Sequence, residues 1–219
     1  MRRLLFEKTG NAVWISHLDL MRVFQRAFKR AGLALTHTNG FNPRPSVSIA
    51  LPLPVGVESR CELLDFDLDG DLVADEEICV RLNRSLIEGV RVLSVYGDGS
   101  KLKNLAFMQC AIILEYDNGV PLRAIENIQE LFGREEVMVA KKTKNGIQEQ
   151  NIVNMIRRID VSTAGEHALQ IDALICCQNP TLNPMQIPAA IGQYLPHVKP
   201  DFSKCIRLEI YDQNEKVFR

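Results

Sequence analysis

Residues 15–46 read ISHLDLMRVFQRAFKRAGLALTHTNGFNPRPS. Ser16 followed by Asp19 is a helix-opening pair, because a serine oxygen and a carboxylate three residues on can satisfy free backbone N–H groups. Gly32 is the natural stop. Between them Leu20, Phe24, Ala27, Phe28 and Ala31 recur at helical spacing and predict a core-facing stripe. Arg22, Arg26, Lys29 and Arg30 fall largely on the other face, the first three at i, i+4 and i+7. Strand-like segments flank this helix: RRLLFEK before it, LALTHT and SVSIALP after it. ELLDFDL, a second helix DEEICVRLNRSLIEG from Asp75 to Gly89, and VRVLSVY complete a β-α-β-β-α-β order with one strand-like segment more than it needs. That order is the ferredoxin-like pattern of an α+β fold.

A weaker copy follows. LAFMQCAIILEY, EVMVAKK, HALQIDALICC and CIRLEIYD read as strands, PLRAIENIQELFG and NPMQIPAAIGQYL as helices. Residues 151–160 fit strand or helix equally. The small, polar segment GDGSKLKN (97–104) is the natural boundary. It predicts two tandem ferredoxin-like units with antiparallel sheets, 1–98 and 104–219. The alternative is one α+β sandwich in which the halves share a sheet.

The 219 residues suffice for a core without staples. No apolar run approaches the ~18 residues of a membrane span. MRRLLFEKTG has no apolar stretch behind its arginines, which predicts no signal peptide. The six cysteines lack metal-ligand spacings and read as reduced thiols of a cytoplasmic protein, with no metal or cofactor site of this chain's own. Net charge is −1 but uneven: residues 1–50 carry eight Lys/Arg against two acids, residues 51–100 four against eleven. Local rather than net charge decides whether an anionic partner is attracted.

Function therefore points to the opening segment. No acid follows Asp19 in the helix, so its cations are expected to be unpaired there and able to meet a phosphate backbone. Ser16, beside the helix N-terminus, is placed to help hold an anion. In NGFNPRPS, Asn39-Gly40 favours positive φ. Pro43 and Pro45 restrict Asn42 and Arg44, so Arg44 would meet a phosphate at little entropic cost. Ser16, Arg22, Arg26, Lys29, Arg30, Asn42 and Arg44 form the expected anion-binding set. His17 titrates near neutrality and is the one candidate catalytic group, with Arg44 to stabilise a scissile phosphate. Phe41 is expected in the core rather than as a stacking platform. LPLPVGVES (51–59) is expected to pack under the Arg44 loop. Glu62, Asp65, Asp67, Asp69 and Asp71 read as a solvated strand face and turn. Lys141, Lys142 and Lys144 read as a solubilising hairpin tip.

SHLDLMRVFQRAFKRAGL, NGFNPRPSVSIALPLPVGVES and the Glu62–Asp65 strand resemble a bacterial family of radical SAM-associated domains with no established activity. Its members are fused behind a radical SAM protein or encoded beside one, often near a ribonuclease of the E/G type. The resemblance extends over nearly the whole chain and is sharp over residues 1–68. Ser16, His17, Asp19, Arg26, Arg30, Ala31, Gly40, Phe41, Pro43, Pro45, Pro52, Gly56, Ser59 and Glu62 carry it. It implies a radical SAM protein as partner, which would hold the radical chemistry. That agrees with the absence of a CxxxCxxC triad here. The expected function is an RNA-binding or substrate-presenting accessory in RNA modification. The alternatives are a metal-independent RNA-processing enzyme using His17 and Arg44, and a purely structural docking module.

Overall fold

The computed structural model describes residues 1–70, 73–143 (the side chains of 142 and 143 excepted) and 146–219. The chain divides into two compact units, residues 1–104 with Arg219, and residues 105–218. Both mix α-helices with antiparallel strands.

The first unit contains β1 (Arg2–Lys8), α1 (His17–Arg30), β2 (Val47–Ala50), β3 (Val57–Phe66), α2 (Asp75–Asn83) and β4 (Val90–Tyr96). Its strands lie in the order β4-β1-β3-β2, each neighbouring pair antiparallel. α1 forms as its sequence dictates. Ser16 Oγ accepts from Asp19 N at 3.2 Å, and Leu20, Phe24, Ala27 and Phe28 are buried. Phe24 meets Phe6 edge-on at 4.7 Å between centroids, and Phe28 lies 5.0 Å from Phe66. Rings of this kind are the largest single apolar contributions to a core.

Three expectations change here. LALTHT is not a strand; it makes only single bridges, Leu35 to Leu68 and His37 to Pro45. The expected SVSIALP strand shortens to Val47–Ala50, and Leu51 turns at φ 50°. α2 stops at Asn83, well before Gly89. The Asn83 amide donates to Val92 O at 2.9 Å and accepts from Val92 N at 2.8 Å. A side chain that clasps the next strand's backbone in this way competes with further helix.

The second unit contains β5 (Leu105–Glu115), α3 (Ala124–Phe132), β6 (Met138–Thr143), β7 (Gly146–Asn151), β8 (Ile156–Thr163), β9 (Ala168–Cys176), α4 (Gln186–Tyr194) and β10 (Phe202–Asp212). β10-β5-β9-β8 form an antiparallel run. β6 and β7 pair only with each other. EVMVAKK therefore leads into a separate hairpin, and the strand beside β9 is supplied by residues 156–163, which overlap the segment 151–160 that sequence left open. Among the described residues, no helix is long and apolar enough to cross a membrane.

Candidate functional site

The basic residues of the first unit have two fates. Those on β1 are matched by acids. Arg3 is buried and grips Asp65 through Nε–Oδ1 (2.5 Å) and Nη2–Oδ2 (3.0 Å). Burial disfavours its charge, but the hydrogen bond and charge of Asp65 hold its pKa above the ordinary value. Lys8 is only 1% exposed and donates to Ile15 O (2.9 Å) and Val13 O (3.2 Å). Its burial lowers its pKa, and the nearby Glu62 carboxylate opposes the shift. The N-terminal ammonium meets Asp67 at 2.9 Å. The acids of β3 are thus largely counterions to β1, with Glu62 as buried as Lys8. This corrects the reading of that strand as a solvated face. Asp71, in the turn beyond, lies outside the described residues.

On α1 the stripe divides. Arg22 is not free: its Nη1 donates to Asp19 Oδ1 at 2.7 Å, an i,i+3 pair. Asp19 also accepts from Ser16 Oγ at 2.7 Å. Ser16 and then Arg22 hold its carboxyl below the usual range. The expectation that these charges go unpaired within the helix fails at Arg22, because residues three apart share a face. Arg30 donates to Ser85 O, the turn after α2. The side chains of Arg26 and Lys29 are exposed and, among the described residues, have no hydrogen-bond or ionic partner.

Arg44 sits on an arm, residues 36–46, closed as a hairpin by Ser46 N–Thr36 O (2.7 Å) and Thr38 N–Arg44 O (2.8 Å). Arg44 N donates to Thr38 Oγ1 at 3.0 Å. Its guanidinium is free among the described residues, and Asn42 beside it is exposed. Gly40 takes φ 144° at the tip. Phe41 is 100% exposed there, which overturns its placing in the core. The arm projects from the unit, so its apolar residue has nothing to pack on.

The stem of the arm meets the second half of α1 around a cavity of about 340 Å³. Phe28, Leu33, Leu35 and Pro45 wall it, with Gln25, Lys29 and His37 at its margin. Reading LALTHT as a strand hid this cleft. The signal that could have found it is Gln25, a neutral polar residue at the edge of the core stripe.

His17 lies in the first turn of α1, half-exposed. Twelve residues of helix separate it from Lys29, about 18 Å at 1.5 Å per residue. The helical residues lining the cleft, Gln25, Phe28 and Lys29, lie in the far half of α1, and His17 is not among its lining residues. LPLPVGVES meets residues 10–14, where Gly56 N donates to Val13 O at 3.0 Å. Gly56 takes φ 84°, a conformation that favours glycine, and a Cβ there would sit tightly at 3.3 Å from the Trp14 ring. Trp14 itself is 67% exposed. Lys141 Nζ reaches Thr181 O at 3.3 Å and so is not purely solubilising. Lys144 and the Lys142 side chain lie outside the described residues. All six cysteines are free thiols, and no group of three potential metal ligands gathers among the described residues.

The sequence matches, over residues 2–184, a family described as "Uncharacterized protein conserved in bacteria (DUF2344)". No curated protein matches it. Its fold is similar to that of a chain in a Cbf5-Nop10-Gar1 complex, with TM-score 0.52 and 11% identity over 95% of this chain and 48% of that one. It is similar also to a chain of an H/ACA RNP bound to a substrate RNA containing 2'-deoxyuridine, with TM-score 0.51 and 10% identity over 94% and 46%. The chain spans about half the length of these two structures' chains, and the likeness is one of fold alone.

Proposed function

The chain belongs to this uncharacterized bacterial family, and from that starting point we propose that it is an RNA-binding or substrate-presenting accessory of a radical SAM enzyme that modifies RNA. One observation supports the reading: Arg26, Lys29 and Arg44 extend into solvent without partners among the described residues, and the arm also presents Phe41. Free cations displace counterions from a nucleic-acid backbone, and an exposed aromatic ring can stack on a base. We read both units as ferredoxin-like, the second with β6–β7 inserted. The likeness to an RNA-bound ribonucleoprotein chain supports the RNA half of the proposal as analogy of fold only. The radical SAM half rests on the family resemblance carried by residues 1–68.

The test is the salt dependence of binding to single-stranded RNA. The wild type should show a steep slope, and Arg26→Ala with Arg44→Ala should flatten it by about two phosphate contacts. An unchanged slope would remove the interface.

A docking role alone is favoured by a different observation. Trp14, Leu18 and Val55 are 67%, 68% and 54% exposed around the start of α1. Side chains of this size in water mark contact surfaces when they cluster. Under that reading Trp14→Glu abolishes co-purification with the radical SAM enzyme while RNA affinity is unaffected.

A further inference from the structure

The cleft between the second half of α1 and the stem of the arm has no part in phosphate binding as such. Resting on the RNA-binding reading above, we propose that it receives one unstacked nucleobase of single-stranded RNA. Its volume of about 340 Å³ lies at the lower end of small-ligand sites. A base enters such a space while its sugar and phosphate stay outside. Leu35 and Pro45 line it with half-exposed apolar side chains, with Phe28 and Leu33 buried beneath, and apolar surface of this kind suits the face of any base.

The margin has the chemistry to read a base edge. The Gln25 amide supplies two donors and an acceptor, and the His37 imidazole one of each when neutral. Neither side chain has a hydrogen-bond partner among the described residues. Single-stranded RNA is recognised in this way, by stacking and by hydrogen bonds to exposed edges. Charge selects the occupant: no carboxylate lines the cleft, Lys29 stands at its margin, and Arg26 lies one turn before Lys29. Pro45 is both a wall of the cleft and the neighbour of Arg44. The segment that closes the pocket therefore also carries the next phosphate-binding cation. Phe41, fully exposed at the tip, is left for an adjacent base.

The test uses the full chain and labelled hexauridylate and hexaadenylate, each with and without one central abasic position. The wild type should bind the intact strands about tenfold more tightly than the abasic ones. Ala34→Phe narrows the cleft from an exposed position. It should bind both forms equally, with the salt slope of the wild type. Gln25→Ala should alter the ratio of uridylate to adenylate affinity and leave that slope intact. If Ala34→Phe is folded by circular dichroism yet still prefers the intact strand, the cleft proposal is overturned. Salt-dependent binding that ignores the missing base in the wild type also overturns the cleft proposal, and leaves the RNA-binding reading standing. No salt-dependent binding at all overturns both.

Discussion

β1 and α1 carry similar numbers of basic residues and use them in opposite ways. On β1, Arg3 and Lys8 point into the protein and face the acids of β3. On α1 and the arm, Arg26, Lys29 and Arg44 face water and nothing else among the described residues. The excess of positive charge in residues 1–50 is therefore not one basic surface. Part of it is internal neutralisation of the acidic stretch that follows, and what remains is a small set of free cations. The difference teaches that a charge count locates a binding surface only after the paired residues have been subtracted.

The buried half breaks most easily. Arg3→Ala leaves Asp65 without its partner in a poorly hydrated site and should cost about 3–5 kcal/mol. Chemical denaturation would measure it. Arg3→Met with Asp65→Leu should restore most of the loss, since a well-packed apolar pair can replace a buried ionic one. RNA affinity of the folded double variant should match the wild type.

Lys8 sharpens the same contrast through pH. Its folded pKa is lowered by burial from the ordinary 10.5. Between the folded and unfolded values the unfolded chain holds more protons, so stability rises with pH in that window. The charge on Lys8 is a cost at neutral pH that is relieved as pH climbs toward 10.5. The melting-temperature difference between wild type and Lys8→Met should shift in favour of the wild type over that range. A constant difference would mean that Lys8 is solvated as freely as a surface lysine.

The exposed half should behave in the reverse manner. Arg26→Ala, Lys29→Ala and Arg44→Ala should each change stability by no more than about 0.5 kcal/mol. Each should reduce the salt slope of RNA binding by about one. A large loss of stability at any of the three would place it with β1.

Sequence reached α1 closely because its signals are local: a cap, an apolar stripe and a terminating glycine lie within one helix. The same locality made it fail elsewhere. The role of Glu62 depends on Lys8, more than fifty residues away, and an alternating pattern cannot reveal a distant counterion. Phe41 was misplaced because hydrophobicity predicts burial only when the backbone offers something to pack on, and the arm 36–46 leads away from the core. GIQEQN formed β7 without an apolar pattern, since a hairpin that pairs only with itself needs no buried face. The cleft depended on LALTHT failing to be a strand, which is decided by its single bridges to Leu68 and Pro45.

Arg22 lies between the two classes, and it provides the mildest test. It is an exposed cation, yet Asp19 neutralises it at 2.7 Å. Asp19→Asn keeps a side-chain oxygen beside Ser16, so the start of α1 should persist. It removes the counterion, and Arg22 becomes a third free cation on the α1 stripe. RNA affinity should then rise a few-fold and the salt slope steepen by up to one. Mild acid should not reproduce the effect. Ser16 and Arg22 hold the Asp19 carboxyl below its usual range, so lowering pH from 7 to 5 leaves it charged. Its contribution to stability is present above the unfolded value of 3.8 and is lost only as pH falls through the lower folded one. Binding measured at pH 5 and 7 should therefore show no change in slope from Arg22. A variant that gains no affinity would mean that Arg22 points away from the RNA path, and the interface would narrow to Arg26, Lys29 and the arm.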